Sequence, residues 1–243
     1  MNSNGSFLII CISLCMGLLI PAHAADPNII FKPYNAQYKV KRGSDEVGKA
    51  FFSLRPMGKD CYQYRGHADP EGIAAILVPE TTSISRFCLV NGRIQPRVYK
   101  TWEGAPDDEA ELDEDLLSPD DDDGLGEPDD DNYILTFDWA QEAARTNRLA
   151  PRKVPVGAVD HQSMHQALRY WVAQHNGQPK NTLKLDVVED NKTKTYEFKV
   201  VGRENVSSKA GSWDAVRVDR IDSPKKSIRF WLAPTLNYMP VKV

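Results

Sequence analysis

From Tyr34 onward the chain repeats one pattern, short runs of alternating apolar and polar residues closed by glycine, asparagine, proline or serine. "YNAQYKVK" (Tyr34 to Lys41) and "VGKAFFSLRPM" flank the turn signal "RGSDE", and further runs cover Cys61 to His67, Thr81 to Val90, Ile94 to Trp102 and "YILTFDW" from Tyr133. The C-terminal part adds "TLKLDVVE", "KTYEFKVVGRENV", "SWDAVRVDRI", "KSIRFWLAP" and "LNYMPVKV". A period of two sends neighbouring side chains to opposite faces of a strand, so each run can bury one face and wet the other. About ten or eleven such runs, at meander spacing and with almost no parallel crossovers, predict a mainly β protein: one long curved antiparallel sheet, or an open, half-closed β-barrel. "DVVEDNKTKTYEF" predicts a hairpin turning near Asp190 and Asn191. "EGIAAILVP", between two runs, reads as a helical turn or a crossover rather than a strand.

One segment has a different period. After Asp160, a residue type suited to capping a helix, "HQSMHQALRYWVAQHN" places Met164, Ala167, Leu168, Trp171 and Val172 along one helical stripe. In an otherwise antiparallel fold, this helix is expected to lie across the concave side of the sheet and plug it. His161 and His165, four apart on it, form the sequence's only arrangement resembling a metal site. Zinc proteases with that spacing need a glutamate directly after the first histidine, and here Gln162 stands there with no basic lone pair to take a proton. The simpler expectation puts His161 at the first turn and His165 in solvent, with no metal and no cofactor.

The N-terminus bears on compartment. Phe7 to Ile20, "FLIICISLCMGLLI", is a 14-residue apolar run followed by Pro21 and "AHA" ending at Ala24. That suits a signal segment cleaved after Ala24 and is short for a bilayer span, although "MNSNGS" before it carries no lysine or arginine. The expectation is export to the periplasm as one β-rich domain, residues 25–243, with no membrane span after cleavage. Of four cysteines, Cys61 and Cys88 remain in that domain. An even pair in an oxidising compartment, without a C-x-x-C, is expected to be a structural disulfide. It would close a loop of about 28 residues and contribute roughly 3 to 4 kcal/mol in the chain-entropy account.

Charge is divided unevenly. Between Glu103 and Asn132 lie 16 of the chain's 34 acidic residues and none of its 30 basic ones, so 18 acids and 30 bases remain elsewhere, a formal +12. A run of like charge is expected to be a disordered insertion, at about residues 103–132, in a basic body. Aligned on Gly124 as an EF-hand loop, the run has Asp121 and Asp123 in place. It has Pro119 at the first position and Asp130 where a bidentate glutamate belongs, so only weak divalent binding is expected. No G-x-S-x-G elbow, phosphate loop or dinucleotide fingerprint is present, so no catalytic residue is proposed from sequence. The basic residues are spread along strands without an aromatic platform, which argues against nucleic acid.

The order and spacing of several segments resemble the bacterial exported family known as domain of unknown function 3108. They are "YKV" at Tyr38 with Gly48 opening the next strand, "GIAAIL" at Gly72, "SISRFCLVNGRIQPRVY" with Pro96 and Tyr99, and "FDW" at Phe137. "PVGAVDHQSMHQALR", "YEFKVVGRENVSSKAGSWDAVRVDR" and "FWLAPTLNYMPVKV" follow, so the likeness runs from about Tyr34 to Val243. The resemblance implies a periplasmic half-barrel with a helix across its concavity, like envelope carriers of lipids and lipoproteins, and brings neither catalytic residues nor an established ligand. The acid run and the Cys61–Cys88 pair depart from the family's pattern.

Two functions from different classes fit these expectations. One is a carrier holding a lipid or lipoprotein acyl chain between helix and sheet, with Met164, Leu168, Trp171 and Trp231 as ligand-binding residues and basic residues at the rim meeting an anionic headgroup. The other is an envelope assembly or interaction factor, docking a protein partner, whose barrel is filled by its own side chains. Large residues such as Phe52, Leu54, Phe198, Trp213, Phe230 and Trp231 can either line or fill the interior.

Overall fold

A computed structural model describes residues 30–105, 133–224 and 227–243. The expected signal segment, Cys11, Cys15 and the EF-hand-like frame lie outside these residues, as does the acid run from residue 106 on. Glu103, where the insertion was expected to begin, is instead the last residue of a strand.

The described residues form thirteen strands and one long helix. Eight strands make the first sheet in chain order: β1 (Tyr34–Arg42), β2 (Asp45–Gly58), β3 (Cys61–Pro70), β4 (Thr81–Val90), β5 (Arg93–Glu103), β6 (Tyr133–Asp138), β7 (Ala143–Thr146) and β8 (Arg152–Lys153). A second sheet holds β9 (Leu183–Val188), β10 (Thr193–Ser208), β11 (Gly211–Arg220), β12 (Arg229–Ala233) and β13 (Met239–Lys242), ordered from β13 to β9. Every neighbour in both sheets is antiparallel and adjacent in sequence, as meander spacing predicts. β7 and β8 were not anticipated, because "AART" and "RK" carry no apolar alternation.

Turn chemistry sets the registers. Asn91 and Gly92, with φ of 50° and 72°, form a two-residue loop between Val90 and Arg93, the mirror-image turn whose twist matches a hairpin. The β9–β10 hairpin closes over Glu189 to Lys192, with the Glu189 N–H donating to the Lys192 carbonyl, around the expected Asp190 and Asn191. Register shifts in β1–β2, β2–β3 and β4–β5 bend the first sheet into a curl. Cys61 and Cys88 stand directly opposite each other on β3 and β4 and are joined in a disulfide.

The expected curved sheet or half-barrel is present, built from two sheets that are divided for a local reason. After β8 the chain leaves the first sheet and meets β9 at one point, where the Val159 N–H donates to the Asp186 carbonyl and the Val188 N–H donates to the Val159 carbonyl. At the opposite side no ladder joins β1 to β13, and the Tyr38 hydroxyl donates to the Pro240 carbonyl at 2.7 Å.

Inside the curl lies α2 (His161–Gln174), whereas "EGIAAILVP" contributes the expected single helical turn, α1 (Ala74–Leu77). One apolar core unites Leu54, Tyr62, Tyr64 and Phe87 of the first sheet, Leu168 and Val172 of the helix, and Phe198, Val216, Phe230 and Leu232 of the second. Ile30 and Phe31, ahead of β1, are buried in it too. A smaller cluster around Tyr99, Leu135 and Phe137 fills the region beneath β5 to β8.

Candidate binding site

The helix is fixed at its first turn. Asp160 is fully buried and caps it, accepting from the backbone N–H groups of Gln162 and Ser163 at 2.8 Å each. Its other oxygen accepts from the Ser85 hydroxyl of β4 at 2.7 Å, while its own N–H donates to Ser163 Oγ. Burial raises the Asp160 carboxyl above its usual range, and the Ser163, Ser85 and Gln162 donors oppose that rise. The Gln162 amide, in the place a protease glutamate would hold, donates to Ser83 Oγ. Gly66 lies under that amide, and a Cβ there would come within 2.6 Å of Gln162 Nε2 and 2.9 Å of the Phe52 ring. The absence of a side chain at Gly66 lets the helix approach β3.

A second anchor sits about two and a half turns further along the helix. Arg169, 2% exposed, donates through Nη1 to Gln166 Oε1 at 2.6 Å and to the Tyr34 hydroxyl at 3.3 Å. Its Nη2 donates to the backbone carbonyls of Ile30 at 3.1 Å and Asn237 at 3.2 Å. One guanidinium therefore ties the helix to β1, to the segment before β1 and to the turn between β12 and β13. Sequence reasoning missed it, because a single arginine on an amphipathic helix reads as solvent-facing.

The predicted site residues separate into three groups. Met164 and Leu168 are core, at 5% and 1% exposure. Trp171 is half-buried and lines an open cleft. Trp231, expected beneath the helix, sits between Phe230 and Leu232 on β12 and so faces the opposite way. Its Nε1 donates to Glu204 Oε2 at 2.8 Å, and Arg217 and Lys242 lie over its ring. His165 is not in solvent as expected. Its ring packs against Tyr64 and Phe230, and burial, with His161 as a second cause, pushes its pKa down to about 4. His161 points away toward Glu189, at 3.7 Å. Among the described residues no group of three or more His, Cys, Asp or Glu could hold a metal, and no helix is long and apolar enough to cross a membrane.

The cleft has a volume of about 270 Å³ and lies at the seam between the sheets, beside the C-terminal half of α2. Ala167, Tyr170 and Trp171 of the helix line it together with Ile94 of β5, Val156 and Gly157 of the linker, and Leu183 and Leu185 of β9. Arg93 and Lys184 stand at it from the two sheets. Such a surface can bind by apolar burial, at about 25 cal/mol per Å² removed from water. It holds no paired carboxylates, thiol or metal ligands through which to do chemistry.

Fold and site together define a mainly β protein in which two antiparallel sheets, one a curled half-barrel, pack around one long helix, with a largely apolar cleft at their seam. The chain belongs to the family described as protein of unknown function (DUF3108), which matches residues 34–243. No curated protein and no solved structure matches the chain.

Proposed function

We propose that this is a non-catalytic binding protein of the cell envelope, exported to the periplasm, that holds an apolar or amphiphilic ligand in the cleft beside α2 rather than inside the barrel. The observation that carries the reading is the cleft at the seam, with Ile94, Trp171, Leu183 and Leu185 in its walls. The filled interior, which the interaction-factor reading also expects, argues for a ligand there and not inside the barrel. Leu54, Phe198 and Leu232 are fully buried, Phe230 is 3% exposed, and nine of the helix's 14 residues are buried against both sheets. With Asp160 and Arg169 both hydrogen-bonded to strands or loops, emptying the barrel would orphan several buried polar groups, each at a cost of about 1 to 3 kcal/mol. The cleft needs no such rearrangement. Native mass spectrometry of the protein purified from its own source, with solvent extraction, tests this. A discrete adduct of single-chain mass supports the reading, whereas a uniformly bare mass speaks against it.

A second reading, an envelope interaction factor, is favoured by one other observation. Ile73, Ile76, Leu77 and Val78 around α1 are 79%, 82%, 72% and 55% exposed, a run of large apolar side chains on one loop. Scattered exposed apolar residues need no explanation, but four within six positions suit docking to a protein. Crosslinking in cells from a photoreactive residue at Ile76 would capture such a partner, and labelling no different from a distant surface position would count against it.

A further inference from the structure

We infer that the cleft ligand is a single-chain fatty carboxylate whose head group is held by Arg93 and Lys184. This rests on the reading above that the cleft is the binding site. Of the residues lining the cleft, two are charged, both are cations, and no aspartate or glutamate is among them. Arg93 follows the Asn91–Gly92 turn on the first sheet, is exposed, and makes no ion pair among the described residues. Lys184 stands on β9 of the second sheet. Its acidic neighbour is Glu197, opposite it in the ladder, at 3.8 Å, and that carboxylate also accepts from the Thr182 hydroxyl at 2.7 Å. The Glu197 charge offsets one of the two cations and leaves about one positive charge for a ligand to match.

The remaining walls set the rest of the chemistry. Ile94, Val156, Trp171, Leu183 and Leu185 offer apolar surface continuous with the two cations. The volume, about 270 Å³, falls just below the roughly 300–1,000 Å³ of ordinary small-molecule pockets. A volume of that size accommodates one acyl chain along its walls. A guanidinium fork matches the two oxygens of a carboxylate, and a lysine on a flexible stem reaches over the apolar wall to the same group. A neutral head would leave Arg93 without an anionic partner in the cleft.

The test compares decanoate with its uncharged counterpart decanol, by calorimetric titration of the intact chain at low salt and below the aggregation limit of each. Decanoate is expected to bind about tenfold or more tightly than decanol. In the double variant Arg93→Gln, Lys184→Gln, decanoate affinity should fall to that of decanol. Equal binding of both compounds to the native protein would overturn the carboxylate assignment while leaving the cleft as the site. Binding of neither would overturn the cleft reading and the assignment with it. Ala167→Met, which projects a longer side chain into the cleft, should weaken both compounds alike. If it melts like the native protein yet binds both unchanged, the cleft is not where they sit.

Discussion

Arg169 shows how far a single residue's role can lie from its local sequence. Its partners Ile30 and Asn237 are 139 and 68 positions away, and nothing near Arg169 announces them. Replacing it with methionine keeps most of the volume and strands two carbonyls, the Tyr34 hydroxyl and the Gln166 amide oxygen. We expect a loss of about 3 kcal/mol in urea unfolding. We also expect faster proteolysis ahead of β1, which a purely local defect would not produce. Asp160, by contrast, was legible, because a short acidic residue just ahead of a helical stripe has one common use. His165 was misread, since its packing depends on Tyr64 and Phe230 arriving from two different sheets and leaves it half-buried. Its pKa of about 4 lies below the ordinary histidine value of about 6.5. The unfolded chain therefore takes up a proton first as the pH falls. Stability should drop progressively below about pH 6.5 and stop dropping from this cause below about pH 4, by on the order of 3 kcal/mol in all. Asp160, with its raised carboxyl, acts in the opposite sense. The informative comparison is thus His165→Phe, which keeps the ring packing and should lose less stability than the native protein between pH 7 and pH 4.5. Parallel acid limbs for the two proteins would show that His165 is not held neutral by its packing.

At the scale of elements, strand periodicity and turn residues sufficed to place eleven of the thirteen strands and the long helix. The missed pair, β7 and β8, are short strands of small and charged residues whose pairing is imposed by their neighbours. The division into two sheets was equally invisible, because it turns on one linker whose Val159 makes an isolated bridge to β9. The acid run interrupts no pairing. β5 and β6, which it connects, are direct ladder partners from Val98–Thr136 to Thr101–Tyr133. Replacing residues 106–132 by a short Gly-Ser linker should therefore leave a cooperative thermal transition within a few degrees of the native one. Loss of cooperativity would mean that the run belongs to the fold. Of the candidate site, Trp171 was found from sequence because the helical stripe contains it. Arg93, Lys184 and Leu183 were not, since a cleft between two sheets has no sequence period of its own.

For the whole molecule, the account turns on whether the helix is a permanent core element or a plug that a ligand displaces. Its burial against both sheets and its ties through Asp160 and Arg169 favour the former. Amide hydrogen exchange of the intact protein, with and without saturating decanoate, measures this directly. The account predicts added protection confined to the cleft, at Tyr170 to Gln174 and Leu183 to Leu185, with the first turns of α2 unchanged. Faster exchange along the whole of His161 to Gln174 on binding would contradict it, because the helix would then be leaving the barrel to admit the ligand.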